Sequence, residues 1–451
     1  MTAEIAILNK SAVALATDSA VTISAGTESF KMFDTGDKLF ELCDLNPIGI
    51  MINNSMDFVG VPLPSVVRRF RTSCPKYDRV AQAAEEFLAF LNDDGRSAPS
   101  SQLERYEISV SKNVADILIE RTKDQFQQGF AQWMNSKADV SMIDHDIDQY
   151  QAEVWSQQIS VLSRRVSGQK NAEFVGLGEV PLLSPDIANR LSERLLGFGV
   201  PEQYCSRIVC EVLYPILIGD ISLGLHTGIV IAGFGDQDLF PTLISIRVEG
   251  MVFGSLKIVR DEMVDIDRDG RRAAVLPFAQ REMVDRFIFG FDDHVQKAIA
   301  SFCSKNLDQF RTSVRTMLDF VNEAEEQSFD QAWAGTQDQF LRSLRDQAFE
   351  TVRLQTQSSM EELVEFMPKP ELARMAEALI EVTSLKRRIS HGMETVAGPI
   401  DVAVISQSEG FVWVKRKHYF KAELNPRHAA RVRDAGERRY REILNGGQSD
   451  A

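Results

Sequence analysis

Apolar positions along the chain alternate between two periods. Residues 4 to 17, EIAILNKSAVALAT, hold two short apolar runs split by Asn9, Lys10 and Ser11, the pattern of a hairpin of buried strands closed by Asp18 and Ser19. A second pair, KLFEL (38 to 42) and IGIMIN (48 to 53), is joined through a turn at Asp44 to Pro47, so the pattern predicts four strands in the first 53 residues. The period then lengthens. Val66, Val67 and Phe70, then Val80, Ala83, Phe87, Leu88 and Leu91, recur at helical spacing and predict two helices packed on a sheet.

From about 93 to 225 the pattern is mostly helical, with one stripe through Val114, Ile117, Leu118, Phe126, Phe130 and Trp133 and another through Leu191, Leu195, Leu196 and Phe198. The polar stretch Ser97 to Gln102 reads as a loop. Strand patterns return at 227–235, 242–250, 255–263 and 271–278, and a long helix is predicted from near Gln280. A second helical stretch covers about 297–365, a further helix follows Pro370, and 399–416 reads as a hairpin turning at Ser408 to Gly410. Two antiparallel sheets with helices on both sides would cover every apolar face. The expected segments are 1–92, 93–225 (helical insertion), 226–296, 297–365 (second helical insertion), 366–420 and an Arg-rich tail at 421–451.

Composition narrows the function. In 451 residues, 65 acidic against 50 basic side chains give a net charge of −15, which argues against nucleic acid and anionic membranes as partners. Five dispersed cysteines without a CxxC pair point to reduced thiols, no zinc site and a cytoplasmic setting. No leader pattern and no apolar run long enough to span a bilayer is expected. DIDRDG (265 to 270) begins like a calcium loop, but its twelfth position is Leu276 where a bidentate Glu is needed, so a charged turn is the simpler reading. DHDID (144 to 148), with His145 among carboxylates, reads as a solvated acidic loop, and GLG (176 to 178) as a loop without dinucleotide context. The tail arginines, Arg427 to Arg441, are interspersed with acids and read as a solvated helix. Neither metal nor cofactor is expected.

Candidate chemistry gathers at the start. Thr2 directly follows Met1, so removal of Met1 would give one residue both a hydroxyl nucleophile and an α-amine able to act as general base near neutral pH.

Five features in order resemble a proteasome β subunit and its bacterial relatives HslV and Anbu, all N-terminal nucleophile hydrolases. They are Thr2, the pair Asp18 and Ser19, Lys38 in GDKLFEL, GIMINNSMD (49 to 57) and GPIDVAVI (398 to 405). The resemblance covers roughly 1–75, 226–295 and 367–416. It implies an α+β fold, a four-layer αββα sandwich of two antiparallel sheets, carrying here two additional helical insertions. It also implies a threonine-type peptidase acting through an ester of Thr2 on a peptide or protein substrate, as a homo-oligomer or with a partner protein.

On this reading the Lys38 ammonium favours the nucleophile, Asp18 holds that lysine charged, and backbone amides near Asn53 and Asn54 form the oxyanion hole. Asn53 stands where relatives have glycine. Ser19 supports the site, and the positions of the family's other helpers fall near Gln280 and near Met393 and Val396, with Glu394 and Ser390 as displaced candidates. Two other functions fit the same residues: an amidase acting on a small amide, and a catalytically inactive interaction or assembly protein.

Overall fold

The structure, a computed structural model, describes residues 3–25, 29–136, 144–223, 226–266, 270–389, 396, 398–427, 430–431 and 433–434. The strands are β1 (Ala3–Asn9), β2 (Ala12–Thr17), β3 (Val21–Ala25), β4 (Ser29–Phe33), β5 (Leu39–Glu41), β6 (Ile48–Asn54), β7 (Asp57–Phe58), β8 (Val61–Pro62), β9 (Glu173–Phe174), β10 (Thr227–Gly233), β11 (Thr242–Val252), β12 (Ser255–Asp265), β13 (Ala273–Ala279), β14 (Asp401–Ser406) and β15 (Gly410–Lys415). The helices before β10 are α1 (Leu63–Ser73), α2 (Val80–Arg96), α3 (Ser100–Leu103), α4 (Arg105–Ser136), α5 (Asp144–Val166), α6 (Pro185–Gly197), α7 (Glu202–Ile208) and α8 (Tyr214–Ile218). After β13 come α9 (Glu282–Phe289), α10 (Asp293–Met317), α11 (Glu323–Ser343), α12 (Glu350–Glu365) and α13 (Lys369–Ile389).

The fold is α+β with antiparallel sheets. One sheet runs β13-β1-β2-β14-β15 and the other β5-β6-β10-β11-β12-β9. Strand alternation sorts the side chains. Ile5, Ile7, Ala12, Ala14 and Ala16 pack on Leu372, Ala376 and Ile380 of α13, while Ala6, Leu8, Val13 and Leu15 meet Met51, Val230 and Ala232 of the other sheet. On that second sheet the opposite face, Ile48, Ile50, Ile52, Ile229 and Ile231, packs on Val66, Phe70, Phe87 and Leu91 of α1 and α2. The sheets approach closely at Gly49, where a Cβ would lie 2.8 Å from Ile405 Cδ1 and 3.0 Å from Leu15 Cδ1.

Local chemistry closes the first hairpin. Asn9 Oδ1 accepts from the Ser11 amide (2.9 Å), Ser11 Oγ (2.8 Å) and the Ala12 amide (3.2 Å), an Asx turn that pins the register of β1 on β2.

Several elements differ from the sequence expectation. The first 53 residues hold β3 and β4 as well as the expected four strands; among the described residues these two pair with each other and join neither large sheet. Ser97 to Gln102 is not all loop, since α3 begins at Ser100. DHDID is no loop either: it opens α5. The helix near Gln280 is short, because Gly290 caps α9 in the left-handed region (φ 78°) and Asp292 starts α10 by accepting from the Val295 amide (2.8 Å). Among the described residues no helix is long and apolar enough to cross a membrane.

Candidate active site

Thr2 and Glu394, with Ser390 and Met393, lie outside the described residues. The remaining candidates are placed by the ends of β2, β6 and β13 and by the start of β5.

Asp18 follows β2 directly and is buried. Its Oδ1 accepts from Lys38 Nζ at 2.7 Å and from the Ala3 amide at 3.1 Å, and its Oδ2 from the Ala20 amide at 3.2 Å. The Ala3 amide belongs to the peptide bond that joins Thr2 to the strand, so Asp18 binds both the lysine and that bond. Lys38, at the start of β5, is fully buried, and its backbone oxygen accepts from the Ile52 amide (2.9 Å). Burial pulls the lysine below its ordinary pKa, while Asp18 acts to keep it charged. A buried ammonium without such a partner would be costly. Ser19 turns its hydroxyl to the Pro399 carbonyl.

The strand register separates the two asparagines. The Ile52 amide points to Lys38 and the Ser55 amide to the His226 carbonyl, so amides alternate between the β5 and β10 sides. Asn53, in register with Gly228, turns its amide toward β10; Asn54, at φ 63°, turns its amide to the side where β5 has ended. Asn53, expected to offer its amide to an oxyanion, instead directs that amide at its register partner in β10, and its side chain donates to Glu4 Oε2 (3.2 Å). Nor does β6 lead straight into a helix: the β7–β8 ribbon intervenes before α1.

Gln280 is buried just beyond β13, and its Oε1 accepts from Arg387 Nε on α13. It borders a cleft of about 660 Å³ whose walls include Ala279, Asp285, Arg353, Met360 and Arg387. Ala279, one of these walls, is in register with Ala3 on β1, but neither Asp18 nor Lys38 lines the cleft.

Sequence reasoning missed Glu4. Its signal was a charged residue inside an otherwise apolar strand, and the structure buries it beside Lys38, Asp18 and Asn53. No protein-family model and no curated protein matches the chain.

Proposed function

We propose that the chain is a proteasome-like N-terminal nucleophile hydrolase of the threonine type, cleaving peptide bonds. The observation that carries this reading is the buried Lys38–Asp18 pair, whose carboxylate also holds the amide adjoining Thr2. The order of helices, sheet, sheet and helices supports the αββα sandwich that belongs to it. In this mechanism Thr2 Oγ attacks the carbonyl carbon, the α-amine takes the hydroxyl proton and passes it to the leaving amine, and water then hydrolyses the Thr2 ester. Lys38 stabilises negative charge developing on Oγ, and the Asn54 amide is the donor available to the oxyanion.

Intact mass and a covalent probe test this. With Met1 removed, a β-lactone or epoxyketone adds its mass to the wild type and not to Thr2→Ala, and Lys38→Met slows labelling on the order of 100-fold. Retention of Met1, or equal labelling of Thr2→Ala, overturns the reading. Turnover of peptides against small amides decides between peptidase and amidase, and sedimentation tests the self-assembly that the same reading entails. A second reading, an inactive relative acting through partners, draws on one observation: Gln280, where a helper of the amine belongs, is engaged by Arg387.

A further inference from the structure

On β1, Ile5 and Ile7 face α13 while Ala6 and Leu8 face the other sheet, and alternation puts Glu4 on this second, between-sheets side. Glu4 is buried. Its Oε2 accepts from Asn53 Nδ2, and among the described residues its Oε1 has no hydrogen-bond partner; opposite it across the β1–β2 pair, Thr17 Oγ1 is likewise buried without one among the described residues. Orphaned buried oxygens cost stability, and an apolar side chain at this position would avoid that cost. The charged groups that act on Glu4 are Lys38 and Asp18, with Lys417 acting on Lys38 from beyond. Burial is the main influence and pushes the Glu4 carboxyl up to about 8; Lys38 and the Asn53 bond pull it down, and Asp18 adds a smaller upward push.

We propose that Glu4 is a positioning residue of the Thr2 site: buried between the sheets, it ties β1 to β6 through Asn53 and leaves the Lys38 ammonium to Asp18. The proposal rests on the threonine-hydrolase reading. With Glu4 neutral, Lys38 and Asp18 cancel and the buried cluster carries no net charge. Once Glu4 ionises, a second carboxylate draws on the same ammonium and the cluster becomes negative.

The test uses the full chain and three readouts. At pH 6 the infrared spectrum shows the carbonyl band of a protonated buried carboxyl, which Glu4→Gln removes and which fades in the wild type as pH passes about 8. Stability follows the same group. Its folded pKa lies above the ordinary 4.5, so its contribution is complete below about 4.5 and is lost as pH rises toward 8; Glu4→Gln flattens that decline. In labelling by the β-lactone, Glu4→Leu is about tenfold slower than wild type at pH 7, whereas Glu4→Gln, which can still accept from Asn53, rescues the rate. From pH 7 to 9 the neutral fraction of the wild type falls to about a tenth, and its labelling declines relative to Glu4→Gln by a similar factor. The proposal is overturned by absence of the band at pH 6, by superimposable stability curves, or by equal pH dependence of labelling in wild type and Glu4→Gln. A band and a stability slope that follow Glu4, in a wild type that forms no adduct at any pH, would instead sink the hydrolase reading and the positioning role with it.

Discussion

The helices between α2 and β10 and those between α9 and α13 carry similar apolar stripes and meet different fates. In the first group Val110, Val114 and Leu118 of α4 join Trp155 and Ile159 of α5 and Leu191 and Leu195 of α6 in one buried cluster, which also takes Val252 of β11 and Val259 of β12. Polar anchors seal it to the sheet. Lys257 Nζ, fully buried on β12, donates to the carbonyls of Ile216 (3.0 Å) and Ile221 (3.3 Å), and burial lowers its pKa to about 8. Glu107 accepts from Arg194 (2.8 Å), Arg190 (3.2 Å) and the Phe253 amide (2.9 Å).

In the second group no residue of α10 or α11 is buried, and Phe302 and Met317 are 67% and 82% exposed. The two helices touch through Phe310 on Trp333 and ion pairs from Arg311 and Arg315 to Asp330. Their base is closed by Phe291 on Phe349 (5.2 Å) and Arg353 with Asp293 (3.9 Å). An apolar stripe therefore builds a core only where a second apolar surface faces it; α4 has the sheet together with α5 and α6, while α10 has α11 along its length and Phe349 and Arg353 at its base.

Substitutions can break that contrast. Leu118→Ala should cost about 2–5 kcal/mol in denaturant unfolding, because it opens a cavity in a closed core. A cost below half a kilocalorie would mean that the first group is as loosely attached as the second. Glu107→Ala should cost about 2–3 kcal/mol, since it strands the Phe253 amide and the largely buried Arg194 together; Glu107→Gln, retaining an acceptor, should recover part of it. The smallest effect is expected at Phe302→Ser, within about 0.5 kcal/mol of wild type. A loss of several degrees in Tm there would show that α10 is packed far more tightly than its exposure indicates.

Part of the candidate site's geometry was legible because its parts are carried by local pattern. Asp18 closes an apolar strand and Lys38 opens another, and the two form the ion pair that their setting suggested. Asn53 and Asn54 were legible only as a pair. Which amide enters the sheet depends on the register of β6 between β5 and β10, and residues almost two hundred positions away set that register. Glu4 was visible as a charge in a strand, but nothing local says whether such a side chain meets water or another sheet. The helix expected from near Gln280 begins at Glu282 but is short for a smaller reason: Gly290 and Asp292 stop one helix and start the next within three residues.

By itself the sequence determined the alternation of strands and helices, the Asn9 turn and the position of the chemically distinctive residues, because periodicity and turn chemistry act over a few residues. Tertiary structure decided which stripes were covered, which Asn amide entered the sheet, and that Glu4 would share a dry interior with Lys38. Burial and the dielectric around a charge depend on everything packed nearby, and most of what packs around Glu4 and Lys38 comes from strands distant in the chain.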